Sequence, residues 1–354
     1  MLLYPLLFEP ILKERIWGGQ KLGKLFNRQL TGDKIGESWD VACHKNGTSI
    51  VSNGRYKGKS LDELIEKFGR CLLGDSLEDK HIEKFPLLIK MLDASDVLSV
   101  QVHPDDEYAA LKENGELGKT EMWYIVDAEP GAHLYFGIKS GTTPEEFRKA
   151  IVEGNVEPYL CSVDVKNGDV LYIPAGMVHA IGAGIVICEI QQNSDTTYRV
   201  FDWNRIDDDG NPRELHIEKA LDVIDFDGRH SKEKAKGIEV MEDGGKRTYL
   251  VACPYFAVEK LEVKESIEEI AKGDKFYILT ILEGQGSIEY NNGKQSFERG
   301  DSIMIPASLG YYSINGKCTV LKSYIPDRQE DIIKKLEKKG FSREEMEAIA
   351  GLFD

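Results

Sequence analysis

Short apolar runs separated by polar turns dominate the chain. Residues 98–102, 122–127, 170–173, 185–191, 276–282 and 302–305 are each bounded by Gly, Asn, Asp or Pro positions, and runs of that length and punctuation predict β-strands. Two interruptions predict helices. Residues 61–68 follow Ser60, with Glu63 placed to complete a capping box. Thr143-Pro144-Glu145-Glu146 opens a second helix through about residue 152, with Pro in the first turn and acids beside it. The charge-rich residues 327–354 predict a helical tail, divided at Gly340, with Ser342 and Glu345 capping its last piece. The expected role of this tail is a helical hairpin packed on the surface or on another subunit.

The pattern also repeats. Gly168-Asp169 precedes an apolar strand, then Pro174-Ala175-Gly176 and, three positions on, His179. Gly300-Asp301 precedes another, then Pro306-Ala307-Ser308 and, three positions on, Tyr311. Two related β units are therefore expected, with His179 in the first replaced by Tyr311 in the second. A metal held by His179 would then have no counterpart in the second unit.

A length of 354 residues accommodates two domains, and 41% hydrophobic with 30% charged residues fits a globular enzyme. The net charge of −16 argues against nucleic acid or an anionic membrane as partner. No apolar run is long enough to span a bilayer. The apolar start lacks a basic leader, is broken by Pro5 and is followed by Glu9, so no signal peptide is expected. Six scattered cysteines without a CxxC pair predict reduced, mostly buried thiols and a cytoplasmic location.

The first copy of the repeat resembles the second motif of the cupin family, G-x5-P-x-G-x2-H, which implies a double-stranded β-helix with a metal inside the barrel. Partners for His179 come from two further segments. Gln101 and His103 are two apart and share a strand face, as do Lys119 and Glu121. Two imidazoles, one carboxylate and one amide oxygen suit zinc with an open position. They also suit non-haem iron or manganese.

Longer segments narrow the resemblance. Ile16-Trp17-Gly18-Gly19, Gly36-Glu37-Ser38-Trp39, the stretches 85–90, 98–105, 119–124 and 192–199, and Arg213-Glu214-Leu215-His216 occur in one order over roughly residues 1–325. Together they are similar to type I mannose-6-phosphate isomerases in their short bacterial form. The resemblance implies a mainly β fold of two cupin-type jelly-roll units with a small helical insertion and a helical C-terminal tail. The expected division is a metal-binding catalytic unit at 1–240, a metal-free cupin unit at 241–325, and a tail at 326–354. It further implies metal-dependent interconversion of mannose 6-phosphate and fructose 6-phosphate through an enediol. One Zn²⁺ per chain, or another divalent metal, would be held by Gln101, His103, Glu121 and His179, with Arg199 as the active-site arginine. The long form carries His-Lys-Pro-Glu where this chain has Gly118-Lys119-Thr120-Glu121, so no role of that histidine transfers. The long form's helical insertion would here shrink to about residues 143–158.

The chemistry assigns further expectations. Arg199 would stabilise the enediolate, Lys119 would add a second cation, and Glu189 would carry the proton. Lys90, Ser99 and Asp195 would contact the substrate, with Asp195 a second candidate proton carrier. Plainer readings compete: Lys90 and Glu189 as a structural ion pair, and Arg199 as a buried pair with Asp195 or Asp202. Other functions on the same ligand set are an iron oxygenase, a different sugar-phosphate isomerase, or a non-catalytic sugar-binding cupin. Asp207-Asp208-Asp209-Gly210 lacks the alternating spacing of a calcium loop, and Gly284-x-Gly286 lacks the third glycine of a dinucleotide loop. The expected partner is a small phosphorylated sugar, with no nucleic acid and no membrane. The chain is expected to be a monomer or a small homo-oligomer.

Overall fold

A computed structural model of the protein describes residues 3–206, 210–228 and 233–354. The acidic run 207–209 lies outside the described residues.

The first unit is two antiparallel sheets packed face to face. One holds six strands in the order Val170–Ile173, Glu121–Ala128, Ile185–Gln192, Leu87–Ala94, Ile35–Val41 and Ile11–Gly19. The other holds five, in the order Leu160–Asp164, His133–Ile138, His179–Ile181, Val100–Val102 and Tyr198–Phe201. Trp123, Ile125, Ile185 and Ile187 from the first sheet meet Leu134, Phe136 and Ile181 from the second in one apolar cluster.

Strand periodicity decides what enters that interior. Along Ile185–Gln192, Val186, Cys188 and Ile190 face a different cluster from Ile185 and Ile187. Successive side chains point to opposite faces, so Glu189 shares the barrel face with Ile185 and Ile187. The same alternation puts Lys90 on the interior face of Leu87–Ala94, beside Leu92, while Leu87, Ile89 and Met91 face away. Glu121 likewise shares a face with Trp123 and Ile125. Polar residues thus stand at interior positions of strands whose other interior positions are apolar.

The second unit is built on the long pair Tyr277–Tyr290 and Gly310–Tyr324. Ala257–Val263 and Ser266–Ala271 flank Gly310–Tyr324, while Gly293–Glu298 joins Tyr277–Tyr290 through the two-residue loop at Asn291 and Asn292. The N-terminal strand Leu6–Glu9 pairs with Ser302–Ile305, so the chain begins in the sheet of the second unit before building the first. Residue 240 falls inside the strand Ile238–Glu242. The cluster containing Val186, Cys188 and Ile190 also contains Val251, Phe256, Phe276 and Leu321, so a common apolar layer joins the two units.

Both expected helices form, at Leu61–Phe68 and Pro144–Val152, each with its capping box. The tail is less helical than expected. Gln329–Ile333 is a π-turn leading into Lys334–Lys338, Gly340 takes φ +91°, and the capped piece ends at Met346. Beyond it Ala350 bridges to Val251 in parallel, and Ile332, Leu336, Met346, Ile349 and Leu352 sink into the second unit's core. Apolar burial therefore overrides local helix propensity at the end of the chain.

The ring equivalence expected from the repeat is out of phase. Tyr311 is 69% exposed, whereas Tyr312 is 3% exposed and lies opposite Glu269. The spacing from proline to ring is the same in both copies, but Tyr312 is the ring that packs into the second core. All six cysteines are free; three are buried, fewer than expected, and Cys71 is exposed.

Candidate metal centre

Three buried groups converge between the two sheets of the first unit. Ligand-type atoms of His103, Glu121 and His179 all lie within 4.8 Å of one another. His103 follows Val100–Val102 in one sheet, and its carbonyl accepts a bond from the Gly176 amide at 2.9 Å. Gly176 has φ +86°, and a Cβ there would meet the Val223 carbonyl oxygen at 2.9 Å, so glycine suits this close turn. His179 opens the neighbouring strand directly opposite Gln101, and Gln101 also lies opposite Arg199 on its other side. Residues opposite one another across strands share a face, so Gln101 stands between the imidazole and the guanidinium.

The tautomers are fixed by the backbone. His103 Nδ1 donates to the Thr196 carbonyl at 2.9 Å and His179 Nδ1 to the Met177 carbonyl at 2.8 Å. Each Nε2 then carries no proton, and that of His103 accepts from Lys119 Nζ at 3.2 Å. His103 Nε2 is 3.3 Å and His179 Nε2 3.9 Å from the Glu121 carboxylate, and His179 Nε2 has no hydrogen-bond partner. Burial, reinforced by the Lys119 ammonium, pushes His103 down to about 3. Burial also lowers His179. Burial alone would raise Glu121, but the Lys119 ammonium, 2.7 Å away, holds it well below the usual carboxylate range. Two neutral imidazoles, an ionised carboxylate and an orphaned nitrogen fit a divalent cation.

The Trp123 indole joins this cluster to a second carboxylate. Its Nε1–H lies 3.0 Å from both Glu121 Oε2 and Glu189 Oε2. Burial and then the Glu121 charge raise Glu189 above the ordinary glutamate value of 4.5. Lys90 Nζ is 3.1 Å from Glu189 and donates to Gln191 Oε1 at 2.7 Å. The plainer reading of Lys90 and Glu189 as an ion pair therefore describes their contact, and both also line an adjoining cavity.

That cavity, of about 410 Å³, gathers Gln101, Lys119, Lys90, Ser99, Glu189, Asp195 and Arg199. Five cations line it against three carboxylates, the reverse of the chain's balance. Arg15, Glu37, Thr197 and Arg213 also line it, and sequence reasoning gave them no role. Arg15 is paired with Glu37 at 2.7 Å, and Arg213 with Asp202 at 2.7 Å.

Arg199 differs from these paired cations. Among the described residues no carboxylate lies within salt-bridge distance of it. Asp202 is held by Arg213 and Arg205, while Asp195 accepts from Asn46 at 2.9 Å. One Arg199 terminal nitrogen donates to the Glu214 carbonyl at 2.7 Å, and its buried Nε has no partner. The competing buried ion pair with Asp195 or Asp202 is not formed. At the departure from the long form's pattern, a Cβ on Gly118 would lie 2.4 Å from the backbone of Asp105, so the local packing leaves no room for a side chain.

The sequence model of the type I phosphomannose isomerase catalytic domain matches residues 6–127, and that of the mannose-6-phosphate isomerase cupin domain matches residues 246–325. The chain is 41% identical to the mannose-6-phosphate isomerase ManA of Bacillus subtilis over 324 residues, 91% of this chain and 99% of that one. It is 39% identical to the mannose-6-phosphate isomerase of Streptococcus mutans, over 90% and 98% of the two chains. The crystal structure of the Bacillus subtilis mannose 6-phosphate isomerase superposes with a TM-score of 0.83 at 37% identity, covering 90% of this chain and 99% of that chain. Variants of the Salmonella typhimurium phosphomannose isomerase share the fold, with a TM-score of 0.71 at 15% identity. Residues 326–354 lie beyond both matched segments.

Proposed function

This chain belongs to the type I phosphomannose isomerase family and isomerises mannose 6-phosphate, and on that premise we propose how its first barrel performs the reaction. Gln101, His103, Glu121 and His179 hold one zinc ion per chain. The observation that carries this reading is the orphaned His179 Nε2 facing an ionised Glu121, beside a cavity with a cationic excess.

Moving between aldose and ketose transfers a proton between C1 and C2, and the barrier is the acidity of a C–H next to a carbonyl. A divalent ion at this site supplies Lewis-acid stabilisation of the oxygen charge that develops, and orients the sugar. One carboxylate among its ligands leaves a net positive site, which favours a phosphorylated sugar and an enediolate. Among the described residues Arg199 has no carboxylate partner and its Nε is unpartnered, so its guanidinium can bond the developing oxyanion. Glu189 accepts and returns the proton, because burial and Glu121 raise its basicity toward that of a working base. Lys119 holds Glu121 ionised, and Lys90 orients Glu189. At the cavity wall Asp195 accepts from the sugar hydroxyls, and Ser99 bonds a sugar hydroxyl or the phosphate.

The protein works in the cytoplasm, consistent with six free cysteines. No described helix is long and apolar enough to cross a membrane. The deciding assay follows conversion of mannose 6-phosphate to fructose 6-phosphate by metal-stripped protein reloaded with zinc, manganese, cobalt or iron. Activity lost on stripping and restored best by zinc is expected. Full turnover after complete stripping would remove the metal from the reaction, and better restoration by another ion would replace zinc.

A further inference from the structure

The second barrel contains a cavity that the isomerase reaction leaves unused, with a volume of about 630 Å³. Its floor is a charge network inside an otherwise apolar interior. Arg247 donates to Glu242, Glu259 and Glu269, Lys322 pairs with Glu269, and the Tyr324 hydroxyl donates to Glu259 at 2.6 Å. Arg247, Glu259 and Lys322 are 7%, 2% and 5% exposed. Stability alone explains such a network poorly, since apolar residues of similar volume commonly serve as well.

Three further observations point to a ligand. Tyr249, Tyr277, Tyr311 and Tyr324 place aromatic rings on the cavity wall. Tyr312, buried and outside the lining itself, has a hydroxyl without a hydrogen-bond partner among the described residues, and its charged neighbours Glu269, Arg247 and Glu259 all line the cavity. The tail closes one side with Asp331, Lys335, Lys338 and Lys339, residues beyond the segments that match the family models.

The lining carries five cationic and five anionic side chains. A charged ligand of either sign therefore meets as much repulsion as attraction. A neutral polyol does not: its hydroxyls donate to carboxylates and accept from Arg and Lys, and its C–H face packs on aromatic rings. The volume lies within the range of about 300–1,000 Å³ usual for small-molecule sites.

We propose that the second barrel binds a neutral hexose in this cavity, separately from the isomerase site. The inference stands independently of the roles given to residues of the first barrel. Saturation-transfer NMR on the full chain tests it, with D-mannose as probe and excess fructose 6-phosphate filling the first site. Transfer to mannose should persist, and glucuronate and glucosamine, which carry opposite charges on a similar ring, should receive several-fold less. Tyr311→Ala and Tyr312→Phe should each weaken the mannose signal several-fold and leave isomerase turnover unchanged. Tyr311 is mostly exposed, so its truncation leaves the core intact. Absence of transfer once the first site is filled, equal transfer to the charged analogues, or a mannose signal surviving both substitutions would overturn the proposal.

Discussion

The two barrels bury polar groups in opposite ways. In the second, Arg247 is enclosed by three carboxylates and Lys322 pairs with one of the same three, so every charge of the network has an opposite partner. In the first, among the described residues, Arg199 has no carboxylate within salt-bridge distance and His179 Nε2 has no hydrogen-bond partner. An interior whose charges satisfy one another needs no ion. An interior that strands a lone pair beside an ionised carboxylate has a place for one, because an unpaired buried polar group is costly. Both barrels share a strand frame, so the difference in chemistry rests on a handful of inward positions.

The sharpest way to break this contrast is to exchange what each barrel lacks. His179→Ala should remove the bound metal and lower kcat/KM by about 10³-fold or more, a loss on the scale of deleting a preorganised electrostatic group. Tyr312→Phe, at the inward ring of the second barrel, should leave metal content and turnover unchanged. Atomic absorption and the coupled assay on both variants decide the matter; equal losses would erase the contrast.

Arg199→Ala comes next. With metal and fold retained, kcat should fall by roughly 10²–10³-fold. Arg199→Lys should recover only part of it, since an ammonium cannot reproduce the guanidinium fork. Near-normal turnover in Arg199→Ala would take the unpaired guanidinium out of the mechanism.

Trp123→Phe removes the donor shared by Glu121 and Glu189, and should weaken metal affinity or activity by about 10–100-fold, the usual cost of losing an outer-shell partner. Metal titration in parallel with kinetics separates the two effects.

The pH dependence gives the smallest effects and sets the barrels apart by readout. Glu189 acts as its carboxylate, so activity should fall as pH drops through a value raised above 4.5. Lys90→Met removes a cation that lowers it, and should move this acid limb further upward. In the second barrel burial alone would raise Glu259, but Arg247 holds it at about 2 against an ordinary 4.5. A carboxyl depressed on folding contributes stability that is fully present above its unfolded value and lost as pH falls toward its folded one. Between pH 4.5 and 2 the protein should therefore lose roughly 3 kcal/mol from this group, an order-of-magnitude figure read by acid denaturation. Glu259→Gln should flatten that dependence without shifting the acid limb of kcat/KM.

Much of this was legible in the sequence because it is local. A strand alternates faces every residue, so Gln101 with His103 and Lys119 with Glu121 could be paired from spacing alone. The same rule, carried two residues past Glu121, reaches Trp123, which was overlooked because an apolar ring reads as core. Arg15, Glu37 and Arg213 reach the cavity from strands and loops far apart in sequence, and no local period encodes that meeting. Tyr311 faces out and its neighbour Tyr312 faces in, a phase that equal spacing between the two motifs does not reveal. The tail's last residues form a bridge to Val251, a contact that follows from the second core and not from their own pattern.

The most direct test is anomalous X-ray diffraction from crystals of the active protein, collected across the zinc edge. One peak per chain is predicted, within coordinating distance of Gln101, His103, Glu121 and His179, with none in the second barrel. A peak in the second barrel, or active crystals without any peak at the first, would contradict the division of labour between them.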